Sequence, residues 1–165
     1  MVDKPFQFYR APIMTVHSRK TMTIKEAYQY ITSLVPMERT HKLRAMENEK
    51  EAKKFKAMNF DFACFSGTFS YRDANNLIEH SGLMCLDYDH VGNSHQLWAL
   101  RERLLQDPML KTELLFTSPS GDGLKQVVEI DLTLGDHLAW FNVLKNYIKA
   151  NHRYEIDKAC SEISG

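Results

Sequence analysis

Cysteine is scarce in this chain, and its pattern excludes several roles. Cys64, Cys85 and Cys160 are the only three in 165 residues. They are odd in number and far apart, so they supply neither a disulfide framework nor a zinc knuckle. A reducing, cytoplasmic setting is expected. Long hydrophobic runs are missing too: nothing approaches the ~20 apolar residues of a membrane span. The opening MVDKPFQFYRAP lacks the uninterrupted apolar stretch of a signal peptide, and no membrane partner is expected. Net charge is absent, because 21 basic side chains balance 21 acidic ones. Proteins built for non-specific duplex binding usually carry a basic surplus. Any nucleic-acid contact by this chain alone is therefore expected to be weak and salt-sensitive, no tighter than roughly 10⁻⁴–10⁻⁶ M. Internal repeats, linkers and low-complexity segments are also absent. What is present is 44% hydrophobic residues, enough for one folded domain with its own core.

The periodicities predict a mixed architecture. Thr23-Ile-Lys-Glu26 reads as a capping box opening a helix that Pro36 ends. Glu38 to about Ala57 reads as a charged, solvated helix, and Phe60 to Phe65 as a strand. Arg72 to His80 reads as a short helix or loop. Gly82 to Asp87 predicts a buried strand, Ser94 to Gln106 a helix, and Glu113 to Thr117 and Leu124 to Ile130 two further strands. Trp140, Phe141, Leu144, Tyr147 and Ile148 recur at helical spacing from Asp136 to about Ala150, as core rather than as a base-stacking platform. Tyr154 to Asp157 reads as a last strand or turn. The second half thus runs β-α-β-β-α-β, which predicts an α+β fold. Its sheet is antiparallel or mixed and RRM- or ferredoxin-like, behind an N-terminal α/β extension. The division expected is residues 1–80 for the extension and 81–165 for the module.

Three motifs are able to carry chemistry. Asp87 and Asp89 stand two apart at a strand end, so both carboxylates face one side and are able to meet one hard cation. Unpaired acids at the tip of an apolar strand are costly, which favours a partner there. Ser118-Pro-Ser-Gly-Asp-Gly123, followed by Lys125, is good hairpin chemistry. It is also a loop whose Gly121 and Gly123 let backbone N–H groups approach an anion. Ser118 and Ser120 add hydroxyl donors, and Lys125 adds a point charge for phosphate. The loop joins two strands and does not fit GxxxxGK[ST], so it is not a Walker loop. Asp157 is a third acid, late in the chain after Ile156. The seven histidines form no HExxH; His90 and His95 lie near the aspartates in sequence.

Taken together, "SGLMCLDYDHV", "LLFTSPSGDGLKQVVEI", "HLAWFNVLKNYI" and "YEIDKACSEIS" make the chain resemble the VirE N-terminal domain family. That family is a branch of the archaeo-eukaryotic primase, or primase-polymerase, superfamily. The resemblance covers roughly the last two-thirds of the chain. It implies an RRM-like module in which Asp87, Asp89 and Asp157 hold Mg2+ or Mn2+ and act as the catalytic acids. It also implies that the loop residues Ser118, Ser120, Gly121, Gly123 and Lys125 contact the phosphates of a nucleoside triphosphate. Active members carry a histidine in this second motif; here Leu124-Lys125 stands in its place. In the family the chain continues with an arginine and another strand, which predicts a longer protein, with a C-terminal helicase-like domain as one partner.

The function expected is metal-dependent nucleotidyl transfer to a 3′-hydroxyl of single-stranded or primed nucleic acid, in replication of a mobile element. One rival is a catalytically degenerate nucleotide- or single-strand-binding module for replication initiation. Another is a haloacid-dehalogenase-like phosphatase, because Asp87-Tyr-Asp-His-Val91 fits DxDx[TV].

Overall fold

Four buried residues at the start, Phe-Gln-Phe-Tyr, form a strand that hydrophobic alternation does not reveal, because both of its faces are covered. The computed structural model describes residues 4–164. In it β1 (Phe6–Tyr9) runs between β2 (Lys20–Met22) and β3 (Phe62–Cys64), antiparallel to both. The first helix, α1 (Ile24–Ile31), opens on the expected capping box: Thr23 accepts from the Glu26 N–H, and Glu26 accepts from the Thr23 N–H. Pro36 does not end it. The residue lies in the first turn of α2 (Leu34–Arg44), where a backbone N–H has no intrahelical partner and its loss costs little. Nor is 38–57 one helix. Asn48 accepts from the Glu51 N–H and opens a separate α3 (Glu49–Asn59). The stretch read as a short helix or loop contains a 3-10 turn, Ala74–Asn76, and a strand, β5 (Leu77–His80), paired with β4 (Gly67–Phe69).

The second half supplies β6 (Leu83–Tyr88), α4 (Ser94–Gln106), β7 (Thr112–Thr117), β8 (Leu124–Glu129) and α5 (His137–His152). Asn93, not Ser94, caps α4, with Gln96 completing a capping box. The strands are ordered β6-β8-β7 with antiparallel neighbours, so β6 and β7 run parallel with β8 inserted between them, the split β-α-β connection. The fold is α+β, as expected.

Alternation then sorts the sheet's side chains. Met84, Leu86, Tyr88, Leu124 and Val128 pack under Leu97, Leu100 and Leu104 of α4 and Phe141, Leu144 and Ile148 of α5. Leu83, Leu114 and Val127 face the other way, onto Phe6, Phe8, Met22, Ile24 and Phe65. Both faces are covered, and the two halves of the chain share a core. Asp87 and Lys125, in phase with Leu83 and Val127, lie on the face turned toward the N-terminal half.

The sixth element is a correction. Among the described residues no strand follows α5. Ile156 is buried in the helical core, and the Asp157 N–H donates to the Asp87 carbonyl at 3.1 Å. The Asp157 carboxylate then accepts from the Ala159 N–H and starts a 3-10 turn, Lys158–Ser161. One bond to the free edge of β6 forms before the turn bends the chain away. No helix among the described residues is long and apolar enough to cross a membrane.

Candidate functional site

The site begins with a register. Asp87 of β6 stands directly opposite Lys125 of β8, which in turn stands opposite Phe116 of β7. Opposed residues on antiparallel neighbours share a face, and the Lys125 ammonium donates to Asp87 Oδ2. The side chains are 27% and 23% exposed, so the pair is partly buried. Asp87 Oδ1 is buried without a hydrogen-bond partner. Burial pulls the Lys125 pKa down, but Cys85 and Asp87 outweigh it and hold it above the ordinary value. Cys85 is itself pushed up to about 12, chiefly by burial. It is uncharged at neutral pH, and the anion that Lys125 meets is Asp87.

The β7–β8 loop is pressed against the end of this strand. A Cβ on Gly123 would lie 2.6 Å from the Tyr88 carbonyl oxygen and 3.5 Å from Asp89 Cα, so this close approach admits only glycine. Gly121 has φ +91, and a Cβ there would lie 2.9 Å from Arg44 Nε. The loop closes on itself: Ser118 N–H donates to the Gly123 carbonyl at 2.8 Å and Gly121 N–H to the Ser118 carbonyl at 2.9 Å. Those two N–H groups are thereby used internally rather than turned toward an anion. Ser118 is buried and Ser120 exposed. Arg44, at the end of α2, seats its guanidinium on the loop and donates to the Pro119 and Ser118 carbonyls, both at 3.1 Å. Sequence reasoning missed this residue. It looks like one more charge on a solvated helix, and its partners lie some 75 positions away.

The other candidates gather around the same strand end without converging. Asp89 is exposed just past β6, and the Tyr154 hydroxyl donates to its carbonyl. His90, at φ 53, bonds the Asp122 carboxylate at 2.9 Å, which ties it to the loop rather than to the aspartates. Asp157 reaches Asp87 through its backbone, while its exposed carboxylate caps the following turn. From that turn the Cys160 thiol accepts the Asp87 N–H at 3.2 Å.

A resident Mg2+ or Mn2+ does not fit this arrangement. Among the described residues no group of three or more His, Cys, Asp or Glu is placed to hold a metal ion. The structure does not gather Asp87, Asp89 and Asp157 into one such group. One oxygen of Asp87 meets an ammonium and one oxygen of Asp157 a backbone N–H, so two of the three acids already have a partner on one oxygen.

A sequence model of the family described as "BT4734-like, N-terminal domain", which is the VirE N-terminal family, matches residues 54–164. The chain belongs to the VirE N-terminal family. No curated protein and no solved structure matches it. The matched residues hold the aspartate strand, the loop, α5 and the closing turn of this VirE N-terminal domain, the stretch that the sequence resemblance covered.

A hydrogen-bonded chain links two of the domain's histidines to the closing turn. The Gly82 N–H, which can only donate, gives to His80 Nδ1 at 3.0 Å. His80 Nε2–H therefore gives to His137 Nδ1 at 3.1 Å, and His137 Nε2–H to the Cys160 carbonyl at 3.3 Å. Both rings must be neutral. Burial, then His137, then Lys4, push His80 from 6.5 down to about 4, and burial also lowers His137. Between those limits the unfolded chain binds more protons than the folded one, so this stability is complete above pH 6.5 and is lost as pH falls toward 4. From pH 7 to pH 5 the expected loss is about 1–2 kcal/mol, allowing for the partial exposure of His80. Urea midpoints at the two pH values measure it. His80→Gln should flatten the profile, and an unchanged slope in that variant would refute the assignment.

Proposed function

We propose that this domain is a nucleotide-binding module of the primase-polymerase type, serving replication of a mobile element. Its ligand is a nucleoside triphosphate, whose phosphates lie along the Ser118–Gly123 loop where it meets the end of the aspartate strand. One observation carries the reading: two cations bracket a loop that is pressed against that strand. Lys125 stands at the loop's strand end, and Arg44 is seated on its carbonyls. Both are suited to phosphate, lysine as a point charge and arginine as a planar fork. Single-stranded nucleic acid and a C-terminal helicase-like domain complete the setting.

Nucleotidyl transfer is the second reading, favoured by the bond from the Asp157 N–H to the Asp87 carbonyl. That bond brings the segment with the third acid beside the first. The phosphatase alternative has less support, because it needs a doubly wound parallel sheet, and β6 lies at the edge of an antiparallel one.

Calorimetry with ATP, GTP and their deoxy forms tests the binding reading. Lys125→Ala should weaken the best of them by about 10- to 100-fold, the worth of one charge-assisted hydrogen bond. A folded variant with unchanged affinity would remove the proposed role of Lys125. Extension of a primed template by the wild-type domain would favour the second reading.

A further inference from the structure

Building on that phosphate-binding reading, we propose that Lys125 is the resident cation of the site. Its ammonium takes the place on Asp87 that a divalent metal would need, so the domain binds a nucleotide's polyphosphate without Mg2+ or Mn2+.

The argument starts from the backbone. The β6–β8 register places Lys125 opposite Asp87, so the ammonium reaches the carboxylate from the neighbouring position on the same face. Cys85, two residues before Asp87 on the same face, and Cys160, whose sulfur accepts the Asp87 N–H, flank the pair. A divalent ion at Asp87 would then sit against a partly buried ammonium, where like charges repel strongly. It would also lack the further acids that hold such an ion, since no metal-holding group of three occurs among the described residues.

What a metal supplies to a polyphosphate is positive charge beside its oxygens. Lys125 offers the same from within the chain. Asp87 takes one of its three N–H donors, and the side chain remains 27% exposed, so donors remain for a phosphate. Arg44 supplies a second charge across the loop. Asp89 and Asp122 oppose an anion, but both stand at the rim, where solvent and salt screen them.

Two measurements on the full chain test the inference. In the first, nucleotide affinity is compared in excess EDTA and in Mg2+. Equal affinity within about twofold is expected, and a loss beyond about tenfold in EDTA overturns the inference while leaving the phosphate-binding reading intact. Absence of nucleotide binding under both conditions defeats that earlier reading instead. The second uses Mn2+ alone, followed by its paramagnetic resonance signal, and needs no nucleotide. Lys125→Gln should bind Mn2+ at least about tenfold more tightly than wild type, and Asp87→Asn in that background should abolish the gain. Lys125→Arg, which keeps the charge, should behave as wild type. Wild-type protein that takes up Mn2+ as well as Lys125→Gln does, with the uptake lost in Asp87→Asn, overturns the proposal. If Lys125→Gln fails to fold, the EDTA comparison and the wild-type Mn2+ measurement decide the question.

Discussion

Asp61→Ala is expected to lower the domain's stability by about 3–5 kcal/mol, the cost of removing one partner from a buried ionic cluster. The Asp61 side chain is 2% exposed, accepts hydrogen bonds from three groups and forms an ion pair with a fourth, on three other segments. They are the Ala11 N–H at 2.8 Å, the Tyr30 hydroxyl at 2.6 Å, and the guanidiniums of Arg10 and Arg39, each at 3.3 Å. Burial pushes the carboxyl up, but Tyr30, Ala11 and the two arginines outweigh it and hold its pKa below the usual range. Alanine strands these donors together, and Arg39 Nη1 is already buried without a well-aligned acceptor. Asp61→Asn keeps the shape and one acceptor oxygen, and should cost less. Urea unfolding at pH 7 measures both variants. A loss under about 1 kcal/mol for the alanine, the range of exposed pairs, would show that the cluster is too solvated to matter. The consequence reaches the site, because this cluster ties α1 and α2 to the sheet that backs Asp87 and Lys125, and α2 ends in Arg44.

The second large effect is a coupling between Asp87 and Lys125. Asp87→Asn and Lys125→Gln should each cost about 1–3 kcal/mol, less than a fully buried pair because a quarter of each side chain meets solvent. The double variant leaves no charge unpaired on that face and should be more stable than the sum of the single losses implies, with a coupling of about 1–2 kcal/mol. Denaturant midpoints of the four proteins give the cycle. Strict additivity would mean that the two side chains do not meet in solution, and the resident-cation proposal would lose its footing. The outcome bears directly on function: a strong coupling means that any ligand competing for Lys125 must also accommodate the Asp87 carboxylate.

Much of this was legible from local chemistry. Thr23 and Glu26 mark a helix start because their bonds span three residues, and the helical recurrence from Trp140 to Ile148 reads as one face of α5 because its spacing repeats. The alternation in β6 sends Met84, Leu86 and Tyr88 to one core, and the SPSGDG turn chemistry closes the β7–β8 hairpin where expected. β1 escaped because a four-residue strand buried on both faces carries no alternation. Pro36 misled because it terminates a helix in the interior but suits the first turn. The expected last strand shrank to one bond because Asp157, read as a metal ligand, makes a shorter-range bond to Ala159 first.

The acids and the loop were recognisable as residue types, since Asp87, Asp89, Gly121, Gly123 and Lys125 have chemistry that their names declare. Their partners were not. That Lys125 meets Asp87 follows from the pairing of β6 with β8, 38 positions apart. Likewise Arg44 meets the Ser118 carbonyl across 74 positions. Periodicity and capping act over one or two turns of chain, so composition and spacing determine the elements and the list of reactive groups. Which charge neutralises which is a long-range matter, settled when the sheet takes its register and the N-terminal half closes over it.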